Sequence, residues 1–341
     1  MDIIERYGAD AMRYVICDLE TGMQDVRLPV QANCPSCETL VELADAKHGQ
    51  TIFTYLCTQC GSEFDVLGSM ADVPSATITS DRFEAGRNFC NKRGNAARFA
   101  MLNLGEAVPW RPLAGDDLAA EDRWILSRLA RAEQRVTRHL EAYAPSAALA
   151  AAREFFWNEL CDWYLELIKP RMRDEAQAPI ARQVLATLLD QVLRLLHPFV
   201  PFITETLWEN LARLAPERGI DRRLDTPELC IHAPWPTGRT ERIDEALEAE
   251  FDRLQGAIRR IRDLRTRYTV PPRQEMPVAI RAPQAVVESL EHHAHLLTDQ
   301  ARISTLSMGE AVEAPPNAAT QVFEEMEIFL GDVVDPEKER A

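Results

Sequence analysis

Between residues 81 and 268 the chain carries apolar side chains mostly at helical spacing. In successive segments they recur every three or four residues, which predicts amphipathic helices. Prolines and short polar links separate these segments, so the pattern predicts a bundle. The predicted helices cover residues 81–104, about 120–140, about 155–167, 180–196, a short stretch through Trp208 and Leu211, and a long charged stretch over 241–268.

The two ends of the chain follow other patterns. Residues 3–19 have helical spacing and predict one helix, and residues 24–30 read as extended. Pro271 and Pro272 stop the long charged helix. Beyond them, predicted strands at 276–281, 303–307 and 322–330 and a predicted helix at 283–298 indicate a small α/β unit.

Residues 32–68 contain paired cysteines separated by short β-prone runs. Cys34 and Cys37 are followed, after nineteen residues, by Cys57 and Cys60, a spacing typical of four-cysteine zinc sites. A two-residue gap lets each pair form a tight knuckle that directs two sulfurs at one point, and Gly61 suits such a turn. Four sulfur ligands leave no position for water, so we predict a structural zinc site. Free thiols, or a remnant of such a site without metal, remain the alternatives.

Composition limits the class of protein. Hydrophobic residues make up 46% of the 341, enough for a packed core. No apolar run approaches the ~20 residues of a membrane-spanning helix. The first residues lack the apolar segment of a secretory signal, so we expect a cytoplasmic protein with no membrane contact.

The formal net charge of −16 disfavours general binding of nucleic acid. The charge is unevenly distributed, however. Residues 82–98 hold five bases and one acid, and residues 253–273 hold seven bases and one acid. Local basic patches on an acidic chain suit a protein that binds RNA at chosen places. Solvated helix faces are the equally weighted alternative.

Several stretches resemble class I aminoacyl-tRNA ligases of the valine, isoleucine and leucine group. Asp2–Tyr14 is similar to the helix after the family's KMSKS loop, and Arg82–Phe99 is similar to the first helix of its anticodon-binding domain, in the valine form. Further collinear resemblances are Asp122–Leu129, Phe156–Glu166, Leu196–Glu205 and Arg262–Pro272. Together they span most of the chain outside the cysteine segment.

The resemblance implies the tRNA-binding part of a valine–tRNA ligase, which in complete form uses ATP to attach valine to its tRNA. The chain contains neither a His-x-Gly-His motif nor a Lys-Met-Ser-Lys-Ser loop. We therefore predict no catalytic residue here, and expect ATP and Mg²⁺ only through a catalytic domain in cis upstream or in trans. The chain departs from the family at Arg93 and Gly94, where an apolar residue and an aromatic are usual, so packing or anticodon contact is expected to differ there.

Sequence-specific RNA readers stack bases on aromatic or arginine side chains and read base edges with amides. The first bundle helix offers these residue types, and arginines of the long charged helix offer contacts to the tRNA backbone. The candidate tRNA-binding residues are Arg82, Phe83, Arg87, Asn88, Asn91, Lys92, Arg98, Arg259, Arg262 and Arg265. A core position for Phe83 and a solvated basic face for the arginines remain alternatives.

We therefore expect a mainly α protein, a helical bundle of the class I synthetase anticodon-binding type with an inserted zinc ribbon. The expected divisions are a helix and connection over 1–31, the ribbon over 32–68, a linker over 69–80, the bundle over 81–235, and the long basic helix with its α/β unit over 236–341. The expected partner is a valine tRNA. The alternative is a free-standing zinc-ribbon module that binds RNA or protein without ligase activity.

Overall fold

The computed structural model describes residues 3–19, 30–105 and 109–334, without the side chains of residues 3, 92, 93 and 95. The helices are α1 (Ile3–Tyr7), α2 (Ala9–Asp18), α3 (Asp81–Leu102), α4 (Ala120–Glu141), α5 (Pro145–Glu154), a π-helical segment (Phe155–Tyr164), α6 (Leu165–Leu167), α7 (Ala178–Leu196), α8 (Pro201–Leu214), α9 (Glu245–Arg267), α10 (Gln284–Glu291) and α11 (Ala294–Ala301). The strands are β1 (Gln31–Asn33), β2 (Leu40–Glu42), β3 (Thr54–Leu56), β4 (Glu63–Asp65), β5 (Thr77–Thr79), β6 (Met276–Arg281), β7 (Ile303–Gly309), β8 (Ala319–Phe323) and β9 (Met326–Leu330).

Contacts divide the chain into two units. The first comprises Met1–Leu118, Leu129–Asp162 and Arg171–Thr240, and the second comprises Ala119–Arg128, Trp163–Pro170 and Glu241–Ala341. Among the described residues, none of the helices is long and apolar enough to cross a bilayer.

The amino-terminal helix is broken where the sequence predicts one continuous helix over 3–19. Gly8 has φ +91°, a conformation that glycine adopts at little cost and that ends α1 before α2 begins. The extended segment expected over 24–30 lies almost wholly outside the described residues.

The cysteine segment folds as two small antiparallel sheets. One has the strand order β2-β1-β5, and the other is the hairpin of β3 and β4. Strand β5 lies within the linker expected over 69–80, because Thr77–Thr79 pairs with β1. Of the β-prone residues 51–56, residues 51–53 form a turn and only Thr54–Leu56 is a strand. The core here is small, with Ala32, Val41, Phe64, Val66 and Ala76 beside two of the cysteines.

Helices α3, α5 and α8 of the first unit pack against α7. Its apolar residues, including Leu189 and Val192, are buried on nearly all sides. Phe156 and Leu207 join them around a small apolar void of about 20 Å³. The predicted helix over 180–196 is thus confirmed, and its dense apolar content reflects its central place.

A buried ionic cluster fastens the irregular residues 215–240 to these helices. The carboxylate of Asp190 contacts Arg194 Nε at 2.7 Å and Arg218 Nε at 3.1 Å. Arg194 also donates to the backbone oxygens of Pro234 and Asp225 at 2.9 and 2.6 Å. The guanidinium of Arg218 lies 4.3 Å from the ring centroid of Trp208. Each buried charge therefore faces an opposite charge or a polar group, which buried ions require.

Two glycines let α3 approach its neighbours closely. A Cβ at Gly86 would lie 2.9 Å from the backbone oxygen of Ala11 on α2. A Cβ at Gly94 would lie 2.9 Å from Cδ1 of Ile203 on α8. The departure from the family at Gly94 is therefore a packing feature, since the Ile203 methyl takes the place of a larger side chain.

The second unit is built on a four-stranded sheet with the order β7-β6-β9-β8. Strands β6 and β7 are parallel, joined through α10 and α11, while the other pairs are antiparallel. The single strand expected over 322–330 is two strands, because Glu324 takes φ +49° in a tight turn. Helix α9 packs on this sheet, and Gly256 leaves the space that the Phe323 ring occupies.

The helix expected over 283–298 is divided at His292 and His293. The side chain of His293, at this break, is buried. Its Nε2 lies 2.9 Å from the Glu250 carboxylate, and its ring packs on Phe251. Burial of an imidazole in this position requires that partner, so the residue anchors the break to α9.

The two glycines of α3 make a matched pair of stability tests. Gly86→Ala places a methyl against a backbone oxygen that cannot move independently, so we expect the free energy of unfolding to fall by about 1–3 kcal/mol. Gly94→Ala meets only the end of a flexible side chain and gains about 1 kcal/mol of helix propensity, so we expect no net loss. Urea denaturation followed by circular dichroism measures both. Equal destabilisation by the two substitutions would contradict this packing.

Candidate metal centre and nucleic-acid interface

The two cysteine pairs lie in turns of the same form. At the first, the N–H of Cys34 donates to the oxygen of Thr39 at 2.9 Å, and the N–H of Glu38 donates to the oxygen of Cys34 at 2.8 Å. At the second, Cys57 pairs with Ser62 and Gly61 with Cys57, both at 2.9 Å. Glu38 and Gly61 occupy the equivalent left-handed position, with φ +60° and +74°. The prediction that Gly61 serves its turn is confirmed.

These turns bring the four sulfurs together. The Sγ atoms of Cys34, Cys37, Cys57 and Cys60 all lie within 4.8 Å of one another. Cys34 Sγ lies 3.7 Å from Cys60 Sγ, and Cys37 Sγ lies 3.6 Å from Cys57 Sγ. A tetrahedron with metal–sulfur bonds of about 2.3 Å has edges of about 3.8 Å. The cluster therefore has the dimensions of a four-sulfur metal site, and it could hold a metal ion.

The surroundings of the sulfurs favour thiolates on the exposed side. Cys60 Sγ and the Ser62 hydroxyl are hydrogen-bonded at 3.3 Å, and hydrogen bonds with the side chain and backbone of Ser62 lower the pKa of Cys60 to about 6. Thr39 lowers the pKa of Cys37 in the same way. Burial raises the pKa of Cys34 to about 11. A cation between the sulfurs would counter that cost, because metal binding displaces the thiol proton.

One exposed stripe of α3 combines the residue types that RNA readers use. The side chains of Asn88, Asn91, Arg98, Phe99 and Leu102 are all exposed. On a helix of 3.6 residues per turn they fall within an arc of about 100°. Asn88, Asn91 and Arg98 were predicted to bind tRNA. Phe99 and Leu102, on the same stripe, were not among the predicted residues. Helical spacing could have found Phe99, since it lies three turns beyond Asn88 on the same face.

Other candidates on α3 have different surroundings. Phe83 is 1% exposed, and its ring stacks on Tyr7 with centroids 5.8 Å apart, so it is a core residue and cannot stack a base. Arg87 is half-buried, lies 4.0 Å from Glu84 and covers the Tyr7 ring. Arg82 is exposed on another face of the helix. The Lys92 side chain lies outside the described residues.

The arginines of α9 belong to the second unit and divide into two kinds. Arg259 is exposed, with its guanidinium 5.2 Å from the Trp163 ring centroid. Arg262 also covers that ring and donates to the backbone oxygen of Gln300 at 3.0 Å. Arg265 is buried and donates to the backbone oxygens of Pro271 and Gln274 at 3.0 and 2.6 Å. Arg265 therefore fastens the end of α9 to the following loop and is not placed for a surface contact with RNA.

Comparisons with known proteins relate this chain to tRNA ligases. Residues 122–280 match the family described as anticodon-binding domain of tRNA ligase. A valine–tRNA ligase of Rhodopirellula baltica is 35% identical over 97% of this chain and 33% of that protein. Relatives of the same name from Thermosynechococcus vestitus and Thermotoga maritima are 34% and 37% identical, over 98% and 76% of the chain and 32% and 28% of their own lengths. The chain thus spans about a third of the length of these relatives.

The two kinds of arginine predict different effects on stability. Arg265→Ala leaves backbone oxygens without their charged donor, and we expect the free energy of unfolding to fall by about 2 kcal/mol. Arg259→Ala removes an exposed contact with an aromatic ring, worth about 0.5–1 kcal/mol, and a 3.3 Å hydrogen bond to the Gln255 side chain. Thermal unfolding of both variants measures the difference. A larger loss for Arg259→Ala than for Arg265→Ala would overturn the assignment.

Proposed function

Because the chain belongs to the valine–tRNA ligase family, as part of its C-terminal region, we propose that it binds the anticodon side of a valine tRNA. The matched domain family carries anticodon binding in its description. The chain spans only a third of its relatives, so we assign valine activation, with its ATP and Mg²⁺, to a catalytic part in cis or in trans. We expect this to take place in the cytoplasm.

The exposed stripe of α3 is the observation that carries this proposal. Single-stranded bases are recognised by stacking on aromatic or guanidinium planes and by hydrogen bonds from amides. Phe99 and Arg98 offer the planes, while Asn88 and Asn91 offer donors and acceptors for base edges. Exposure of Phe99 (51%) and Leu102 (79%) would be unfavourable on a face that meets only water.

Phe99 takes the stacking role that the sequence had suggested for Phe83. A ring that stacks a base needs one open face, and the ring of Phe83 is covered by the core. Phe99 lies beside Arg98 on the last turns of α3, where the Asn103 side chain donates to its backbone oxygen at 2.9 Å. The backbone that carries the ring is therefore held while the side chain stays open.

We further propose that the four cysteines hold Zn²⁺ in a structural role. The tetrahedral spacing of the sulfurs supports this, as does the small core of the surrounding sheets. A segment with so few buried apolar residues needs a covalent or metal cross-link to fold stably. When bound, the ion would cross-link the two turns, and with four sulfur ligands it would activate no water.

The charge of the ribbon disfavours a direct contact with RNA. Residues 30–80 contain six acids and a single lysine, besides His48. Four thiolates with one Zn²⁺ would add two further negative charges. An RNA backbone would be repelled from such a surface. We therefore assign tRNA binding to the helical bundle, and keep a protein partner for the ribbon as the second candidate function.

The stacking proposal predicts a specific loss of tRNA affinity. Loss of one base–aromatic stack costs about 1–3 kcal/mol, so Phe99→Ala should weaken binding of a valine tRNA by roughly tenfold or more. Filter binding measures this, with an anticodon-mutated tRNA alongside. The wild-type chain should prefer the valine tRNA, and Phe99→Ala should reduce that preference.

Tyr143→Asn is the matched control. Tyr143 is 93% exposed and takes φ +54°, which asparagine tolerates. Its removal should leave tRNA binding unchanged. Equal and weak binding of both tRNAs by the wild-type chain would sink the proposed function, and unchanged affinity of Phe99→Ala would sink the role of that ring.

The zinc proposal predicts a single Zn²⁺ per chain by native mass spectrometry. Cys57→Ser should lose the ion, whereas Cys17→Ser, at a half-buried cysteine outside the cluster, should keep it. Removal of zinc by a chelator should speed amide hydrogen exchange in residues 30–80 and leave α7 protected, because the ribbon depends on the ion and the bundle does not. A wild-type chain that takes up no zinc would refute the proposal.

A further inference from the structure

A second basic feature of the first unit lies away from the α3 stripe. Helices α2, α3 and α5 line an open groove of about 620 Å³. Arg82 of α3 and Arg153 of α5 supply its positive charges, and Asp18 of α2 its negative one. Tyr14, Val15, Leu19 and Ala85 complete the lining. None of these residues belongs to the stripe.

The two arginines are placed to receive an anion. Arg153 donates to the Tyr14 hydroxyl at 3.0 Å, and the Tyr14 ring is held against Phe89 with centroids 3.9 Å apart. Arg82 is exposed, and within the described part of the chain it has no hydrogen bond or ion pair. One guanidinium is thus positioned by a buried ring, and the other is free to move toward a ligand.

Two acids near the groove are engaged with other arginines. Glu84 lies 4.0 Å from Arg87, and Glu154 lies 3.1 Å from Arg135. Among the described residues that line the groove, only Asp18 opposes the two arginines. The net charge of the lining is therefore positive, although the chain as a whole carries −16.

The groove lies at a distance from the stripe that suits one extended ligand. At about 1.5 Å per residue, Arg82 lies roughly 25 Å along α3 from Phe99. Arg82 and Ala85 lie on a different face of α3 from the stripe, so an RNA whose loop meets the stripe would reach the groove with a stem that passes around the side of the helix. Side chains cannot read bases in the deep groove of a stem, so contacts there are made with phosphates.

We propose that this groove binds phosphates of the RNA backbone outside the anticodon, with Arg82 and Arg153 as the two cations. The inference rests on the proposed tRNA function. It adds a second binding site, whose contacts with phosphates do not depend on the base sequence of the RNA. Tyr14 is a positioning residue, because it acts through Arg153. Asp18 weakens the site, and its charge limits how tightly any RNA is held.

Filter binding of the full chain to a valine tRNA, over roughly 50 to 200 mM salt, tests the site. Each phosphate contact contributes about 0.7–0.9 to the slope of log affinity against log salt. We expect Arg82→Gln and Arg153→Gln each to lower that slope by about one contact, equally for the valine tRNA and its anticodon mutant. Asp18→Asn should tighten binding of both. Arg213→Gln, at an exposed arginine of α8 paired with Glu209, should change nothing.

The outcomes separate this inference from the proposed function. If the wild-type chain prefers the valine tRNA but both arginine variants keep the full salt slope, the groove does not bind RNA. Weaker RNA binding by Asp18→Asn would also overturn the proposal. Loss of the Asp18 carboxylate weakens a site that binds cations, whereas it should strengthen a site that binds phosphates. If the slope falls as expected while no anticodon preference exists, the anticodon function fails and the groove stands. Absence of any tRNA binding would refute both.

Discussion

The close approach of α3 to α2 at Gly86 is the constraint on which the proposed RNA-binding surfaces of the first unit depend. No side chain separates the two helices there, since a Cβ would lie 2.9 Å from a backbone oxygen. The rings of Phe83 and Phe89 then pack against Tyr7 and Tyr14 on one side of α3. With that side committed to the core, the remaining faces of the helix carry the exposed stripe and one wall of the groove.

Acidic and basic residues are unevenly distributed along this chain. The net charge of −16 would oppose an RNA everywhere if it were spread evenly. Instead the ribbon concentrates acids, the buried cluster around Asp190 neutralises its own charges, and several surface acids are paired with arginines. The arginines without such partners then define where a phosphate can approach. Such local asymmetry steers a polyanion to chosen sites and limits binding elsewhere.

Local features of the fold could be predicted from the sequence, and features set by distant partners could not. The recurrence of apolar residues every three or four positions over 180–196 predicted α7, because that spacing depends only on residues close together in the chain. The breaks at Gly8 and His293, and the turn at Glu324, escaped prediction because flanking residues keep helix or strand spacing across them. Strand β5 was missed since its pairing partner, β1, lies more than forty residues away.

The sequence by itself determined the four-cysteine cluster, the family and the residue types that suit RNA, because each rests on short spacings or on motifs along the chain. Tertiary structure determined which of those residues are exposed and could contact an RNA. It buried Phe83 and Arg265 and exposed Phe99. It also placed Arg82 and Arg153 in the lining of one groove. Tertiary packing determines which of these side chains are exposed. A helical period separates an apolar face from a polar one, but it does not show which neighbouring elements will cover each face.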